Sequence, residues 1–257
     1  MLRGGDNKRP LDREESKLLR QQTGKINWAA TQSRPDLSYS VVELSMKFKN
    51  GTLADLKKTN KAMMKLAARP TKILFPKLTG DLSIITYSDA AFQNLPDKIS
   101  SGRGHVVFLA GAGGRAAPLG WSSNKIRRVV SSTSAAEALS LQSSLSHAIF
   151  LRALLTETLG VEDSKIPIRS YIDSNDLFQA IKSTKFVEDK RQRLDIALIK
   201  QDVEEQAVEV RWVETGDMLA DPLTKNTVKA DQLMTVLESG RLPVGVTEIQ
   251  REKVIKK

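Results

Sequence analysis

At Asp81 the hydrophobic period of the chain changes, and that change limits the possible folds more than any other feature. From about residue 17 to 69 the apolar residues recur at helical spacing. Val41, Val42, Leu44, Met46 and Phe48 are followed, after Asn50-Gly51, by Leu53, Leu56, Met63, Met64 and Leu66. Beyond Asp81, strand-like runs cover about residues 82–89, 104–110 and 118–122, with Gly111, Gly113 and Gly114 turning between the last two. Ser131-Ser132-Thr133-Ser134 then supplies N-cap candidates for a helix through Glu137, Leu141 and Leu145. A second helix over about 148–159 stops at Gly160, and a strand follows over 166–173. Helices over 176–183 and 189–205, a last strand over 208–213 and a helix over 229–238 complete the pattern. Three antiparallel strands followed by helix, strand, helix and strand predict an α/β domain whose last two strands run parallel to the first. The chain divides into a helical segment over 1–80, an α/β domain over 81–226, and a helix with a basic tail over 227–257. Within the first segment, residues 1–16 are polar and read as a frayed lead-in, followed by about three helices.

Four acids sit at the edges of the apolar runs: Asp89 after Ile84-Ile85-Thr86-Tyr87-Ser88, Glu137 within Ala135-Ala136-Glu137-Ala138-Leu139, Asp173 after Tyr171-Ile172, and Asp221 after Leu219-Ala220. A carboxylate at the mouth of a buried strand, or on the inner face of a helix, is poorly solvated and needs a partner, of which a divalent cation is the simplest. In open α/β sheets the functional crevice lies at strand ends near a topological switch point. If the first and fourth strands are neighbours, Asp89 and Asp173 stand side by side.

Composition narrows the metal. The chain has no Cys and only two His, His105 and His147, which excludes disulfides, thiolate zinc and a histidine zinc site. Oxygen ligands point to magnesium, manganese or calcium. Net charge is +10, and residues 1–80 carry 17 Lys/Arg against 7 Asp/Glu while residues 81–257 carry 23 of each, so the whole excess lies in the N-terminal third. A basic surface beside a carboxylate-rich site suits a polyanionic substrate, because the acids alone would repel phosphate. No apolar run approaches membrane-spanning length, and residues 1–12 are too polar for a signal peptide. The expectation is an intracellular protein of the cytoplasm or nucleus with no membrane partner.

Five motifs occur in a fixed order: Tyr87-Ser88-Asp89-Ala90, Trp121-Ser122-Ser123-Asn124-Lys125, Ala136-Glu137, Tyr171-Ile172-Asp173, and Leu219-Ala220-Asp221-Pro222-Leu223-Thr224-Lys225. Together they resemble the ribonuclease H domain of copia-type retrotransposon Pol polyproteins. Arg34-Pro35-Asp36-Leu37-Ser38-Tyr39 resembles the segment just after the polymerase active site of the same elements. The resemblance implies a ribonuclease H-like fold with a five-stranded mixed sheet flanked by helices, preceded by the trailing end of a reverse transcriptase. It implies hydrolysis of the RNA strand of an RNA–DNA hybrid by two Mg²⁺ ions, with Mn²⁺ as a substitute, and the remaining reverse transcriptase domains of a polyprotein as a partner. Two-metal sites hold their ions roughly 3.5–4 Å apart across a bridging carboxylate. By similarity Asp89 is that bridge, Asp221 helps hold the ion that activates water, and Glu137 and Asp173 hold the ion on the leaving group.

Small hydroxyls beside the acids, Ser88, Ser134 and Ser174, are candidates for reading the 2′-hydroxyl that separates RNA from DNA. Ser174 stands where the family usually has Asn, Phe92 stands for a family Trp, and no His occurs in the loop over 214–221. Lys125, Arg127 and Arg128 before the acid-bearing helix, and Lys182, Lys185, Lys190 and Arg191 after the fourth strand, are candidate phosphate anchors. The competing reading is a non-catalytic nucleic-acid-binding remnant of such a polyprotein. Four retained acids favour the enzyme, since a binding module gains nothing from crowded negative charge facing phosphates.

Overall fold

The computed structural model describes residues 7–68, 70–184 and 189–243. Three helices come first: α1 (Arg13–Gln32), α2 (Ser38–Ser45) and α3 (Leu53–Ala68). Helix α1 starts inside the expected lead-in because Asp12 and Glu15 form a capping box. The Glu15 amide donates to Asp12 Oδ1 at 2.8 Å, and the Asp12 amide donates to Glu15 Oε2 at 3.0 Å. The strands β1 (Ser83–Ala91), β2 (Gly102–Ala110) and β3 (Ala116–Lys125) form the meander, and α4 (Thr133–Leu159) follows. Next come β4 (Ile168–Ile172), α5 (Asn175–Lys182), α6 (Lys190–Glu205), β5 (Val208–Trp212) and α7 (Asp231–Ser239).

The five strands form one open sheet in the order β3-β2-β1-β4-β5. Strand β1 is antiparallel to β2 and parallel to β4, so it is the switch point that the element order predicted. All nine residues of β1 are buried, as a central strand covered on both faces requires. Ile84 packs into a cluster with Ala138, Leu141 and Leu145 of α4. Ile85 and Tyr87 belong to the cluster on the other face, with Leu219, Leu223, Leu233 and Leu237. Alternation along the strand therefore sends Ser88 toward α4 and Asp89 toward the segment that carries Asp221.

The two helices expected over 131–159 are one. No Gly or Pro interrupts α4, and the inward polar residues that blur its apolar stripe are satisfied across the sheet. Ser140 Oγ donates to the carbonyls of Asp89 at 2.7 Å and Gly104 at 3.2 Å, and Ser144 Oγ pairs with Thr86 Oγ1. The helix ends at Gly160, whose φ of 65° supplies the left-handed cap.

The N-terminal helices rest on the sheet and on the Asp221 turn. Trp121 Nε1 donates to the Ala30 carbonyl at 2.7 Å, satisfying an orphan acceptor in the last turn of α1. Asn94 ties three elements together: its Nδ2 donates to Tyr39 Oη at 3.0 Å and to the Thr224 carbonyl at 2.7 Å, while its Oδ1 accepts from the Gly102 amide at 3.0 Å. Among the described residues no helix is long and apolar enough to cross a membrane.

Candidate active site

Strand order places the acids. Asp89 lies near the end of β1, beyond Tyr87, which pairs with Tyr171 of β4; Asp173 follows β4 directly. The Asp173 backbone is fixed from β5, because Trp212 Nε1 donates to its carbonyl at 2.9 Å and the Val213 amide donates to Ile172 at 2.9 Å. Asp221 opens a short 3-10 turn, Asp221–Leu223, that closes over β2. The close approach depends on Gly104: a Cβ there would stand 2.6 Å from Leu223 Cβ. Ser123 Oγ then pins the turn by donating to the Leu223 carbonyl at 2.5 Å.

One ligand oxygen from each of Asp89, Asp173 and Asp221 lies within 4.8 Å of the others. Asp89 is 1% exposed and Asp221 5%, whereas Asp173 is half-buried and opens the site to solvent. Glu137, 5% exposed on α4, stands outside that tightest group but feels the negative charge of Asp89 and Asp173. Its Oε2 is buried with no hydrogen-bond partner among the described residues, although the Ala90 backbone bonds the carboxyl group. Burial first, and then its acidic neighbours, push the Glu137 carboxyl well above its ordinary range. Burial likewise pushes Asp89 up to about 7, with Asp221 and Asp173 adding to the rise and Lys225 and Thr224 opposing it. A buried carboxylate oxygen with no partner among the described residues, beside three converging acids, is a donor set that a divalent cation would satisfy. Hard oxygen donors of this kind fit Mg²⁺ or Mn²⁺.

Two groups here were missed in the sequence. Thr224 Oγ1 donates to Asp89 Oδ2. Lys225 Nζ lies 2.8 Å from Asp221 Oδ1 and 3.4 and 3.5 Å from the two Asp89 oxygens. Burial would lower the Lys225 ammonium, but Asp89 and Asp221 outweigh it and hold the group above its ordinary value. Both residues sit inside the 219–225 motif, and the Asp221–Lys225 spacing of i,i+4 was the available signal.

The remaining candidates separate. Ser88 is 1% exposed beneath α4, on the opposite sheet face from Asp89, so its hydroxyl is covered rather than presented to a substrate. Ser134 accepts from Gln192 Nε2 at 2.5 Å, and Ser174 caps α5, its hydroxyl accepting from the Leu177 amide at 3.4 Å. Arg128 pairs with Asp195 of α6, and with Arg191 it lines a cleft of about 410 Å³ between the β3–α4 connection and α6. Lys125 reaches Asp97 at 3.3 Å, Lys182 Nζ lies 4.2 Å from the Phe178 ring centre, and Arg127 and Lys190 are exposed. Lys185 lies outside the described residues.

A mixed sheet in this strand order, with carboxylates at the ends of its adjacent central strands, defines a ribonuclease H-like α/β domain. No protein-family model matches the chain. Its homologues are retrovirus-related Pol polyproteins of transposons. It is 30% identical over 224 residues to the polyprotein of transposon RE1 of Arabidopsis thaliana, an alignment covering 84% of this chain and 14% of that protein. It is 32% identical over 200 residues to that of transposon RE2 of the same plant, covering 75% and 13%. The chain thus spans about one seventh of the length of these relatives. Among solved structures, an N-terminal RNase H domain from Mycobacterium tuberculosis shares 18% identity at a TM-score of 0.41, covering 60% of this chain and 96% of that one.

Proposed function

We propose that this chain is the ribonuclease H part of a retrotransposon Pol polyprotein, which hydrolyses the RNA strand of RNA–DNA hybrids with two divalent cations. The observation that carries this reading is the convergence of Asp89, Asp173 and Asp221 within 4.8 Å, with Glu137 Oε2 buried nearby and without a hydrogen-bond partner among the described residues. Asp89 and Asp221 would hold one ion and Asp89, Glu137 and Asp173 the other. Bound there, the cations would supply an activated water and neutralise charge on the phosphate under attack. The protein's own part is positioning. Thr224 orients Asp89, the Trp212 indole holds the Asp173 backbone, and the Gly104 contact sets the height of Asp221 over the sheet. Arg127, Arg128, Lys190 and Arg191 would engage phosphates on either side of the α4 N-terminus and fix the duplex without reading its sequence. Ser134 and Ser174, at the starts of α4 and α5, are the hydroxyls left to contact the 2′-hydroxyls. The other reverse transcriptase domains of a polyprotein are the proposed partner in reverse transcription.

The test is incubation of the purified chain with labelled hybrid, duplex DNA and duplex RNA, in Mg²⁺ or in EDTA. Cleavage confined to the RNA of the hybrid and lost in EDTA supports the proposal. Binding without cleavage at any divalent concentration would leave the non-catalytic remnant as the better reading.

A further inference from the structure

Lys225 occupies an unusual position. Its ammonium spans both oxygens of Asp89 and one of Asp221, the place where a cation shared by those two carboxylates would sit. It is not enclosed there, since its side chain is 31% exposed. The same residue lines a second cleft of about 330 Å³, whose other charged members are Arg34, Asp36, Lys65, Lys229 and Asp231. The ammonium therefore has two places to be, one among the acids and one in a polar, partly open cleft. There Asp231 is a free-standing carboxylate among the described residues, beside Lys229, and Asp36 is already paired with Arg34 and Lys65. A divalent cation and an ammonium cannot share the same pair of carboxylates at contact distance, because like charges repel strongly where burial limits screening.

We propose that Lys225 is the resident counter-ion of the acid cluster, standing where a divalent cation binds and withdrawing into the neighbouring cleft when that cation arrives. The lysine thereby keeps the metal-free site assembled and sets how tightly the site takes metal. This inference rests on the reading of the cluster as a metal site, and the test separates the two.

Mn²⁺ is titrated calorimetrically into the full chain at pH 8, using wild type, Lys225→Met and Lys225→Gln. Each protein is also melted in EDTA and in saturating Mn²⁺. Both variants are expected to bind Mn²⁺ about tenfold more tightly than wild type, because no competitor has to leave. They are also expected to melt below wild type in EDTA and level with it in Mn²⁺. Equal or weaker Mn²⁺ binding by the variants overturns the proposal, as does a melting deficit that persists undiminished in Mn²⁺. Failure of both variants to fold even with Mn²⁺ present overturns it too, since a counter-ion replaced by metal is dispensable once metal is bound. Absence of Mn²⁺ binding by all three proteins instead removes the metal-site reading beneath it.

Discussion

Replacing Asp89 by Asn tests whether the buried acids are held together at the expense of stability. A carboxyl group whose pKa rises from 3.8 to about 7 is disfavoured as the anion by up to about 4 kcal/mol. The folded protein then binds more protons at this site than the unfolded chain between those two values. Its contribution to stability therefore falls as pH rises from about 4 to about 7, and the full penalty is present above that window. Asparagine keeps an oxygen to accept the Thr224 hydroxyl and removes the charge, while Lys225 retains Asp221. In EDTA at pH 8, Asp89→Asn should be more stable than wild type by about 1–4 kcal/mol; at pH 4 the difference should vanish. Mg²⁺ at 100 times its Kd should move the comparison toward wild type by about 2.7 kcal/mol, the amount such a ligand adds to the protein that binds it. Urea denaturation at the two pH values, with and without Mg²⁺, reads all three differences. A variant less stable than wild type at pH 8 in EDTA would refute the reasoning, because Asp89 would then be a net stabilising group.

Three further outcomes follow from the geometry. Gly104→Ala drives a methyl into Leu223 Cβ and should cost about 1–3 kcal/mol by overpacking. It should also lower hybrid cleavage by displacing Asp221, which denaturation and cleavage assays check separately. Trp121→Phe leaves the Ala30 carbonyl without its donor and should destabilise the chain by about 1–2 kcal/mol, read as a lower urea midpoint. Replacing Arg127 and Arg191 together by Ala should reduce the slope of log affinity for the hybrid against log salt by about 2; an unchanged slope would remove both from the duplex contact.

The element order was legible because β1 is covered on both faces and so shows as an unbroken apolar run, while a Gly cluster punctuates the meander. The three aspartates were legible for a related reason, since each ends an apolar segment. The continuity of α4 was hidden. Ser140 and Ser144 look polar along the chain and are inward only because carbonyls of β1 and β2 and the Thr86 hydroxyl meet them. The start of α1 is marked only by the Asp12-x-x-Glu15 spacing of its capping box, within an otherwise polar lead-in. Ser88 shows the opposite failure. Adjacency to Asp89 suggested a shared site, yet the two-residue period of a strand puts neighbours on opposite faces. The packing of the N-terminal helices on the sheet was hidden, because Asn94, Tyr39 and Trp121 join them through contacts far apart in sequence. Lys225 was obscured for the same reason, since its second partner, Asp89, lies on a distant strand.

The most direct measurement is anomalous scattering from crystals of the chain soaked in Mn²⁺. Strong peaks ligated by Asp89, with Asp173, Asp221 and Glu137 around them and Lys225 turned away, are the predicted result. Mn²⁺ bound only elsewhere on the molecule at saturating concentration, with the four carboxyl groups left unligated, would contradict it.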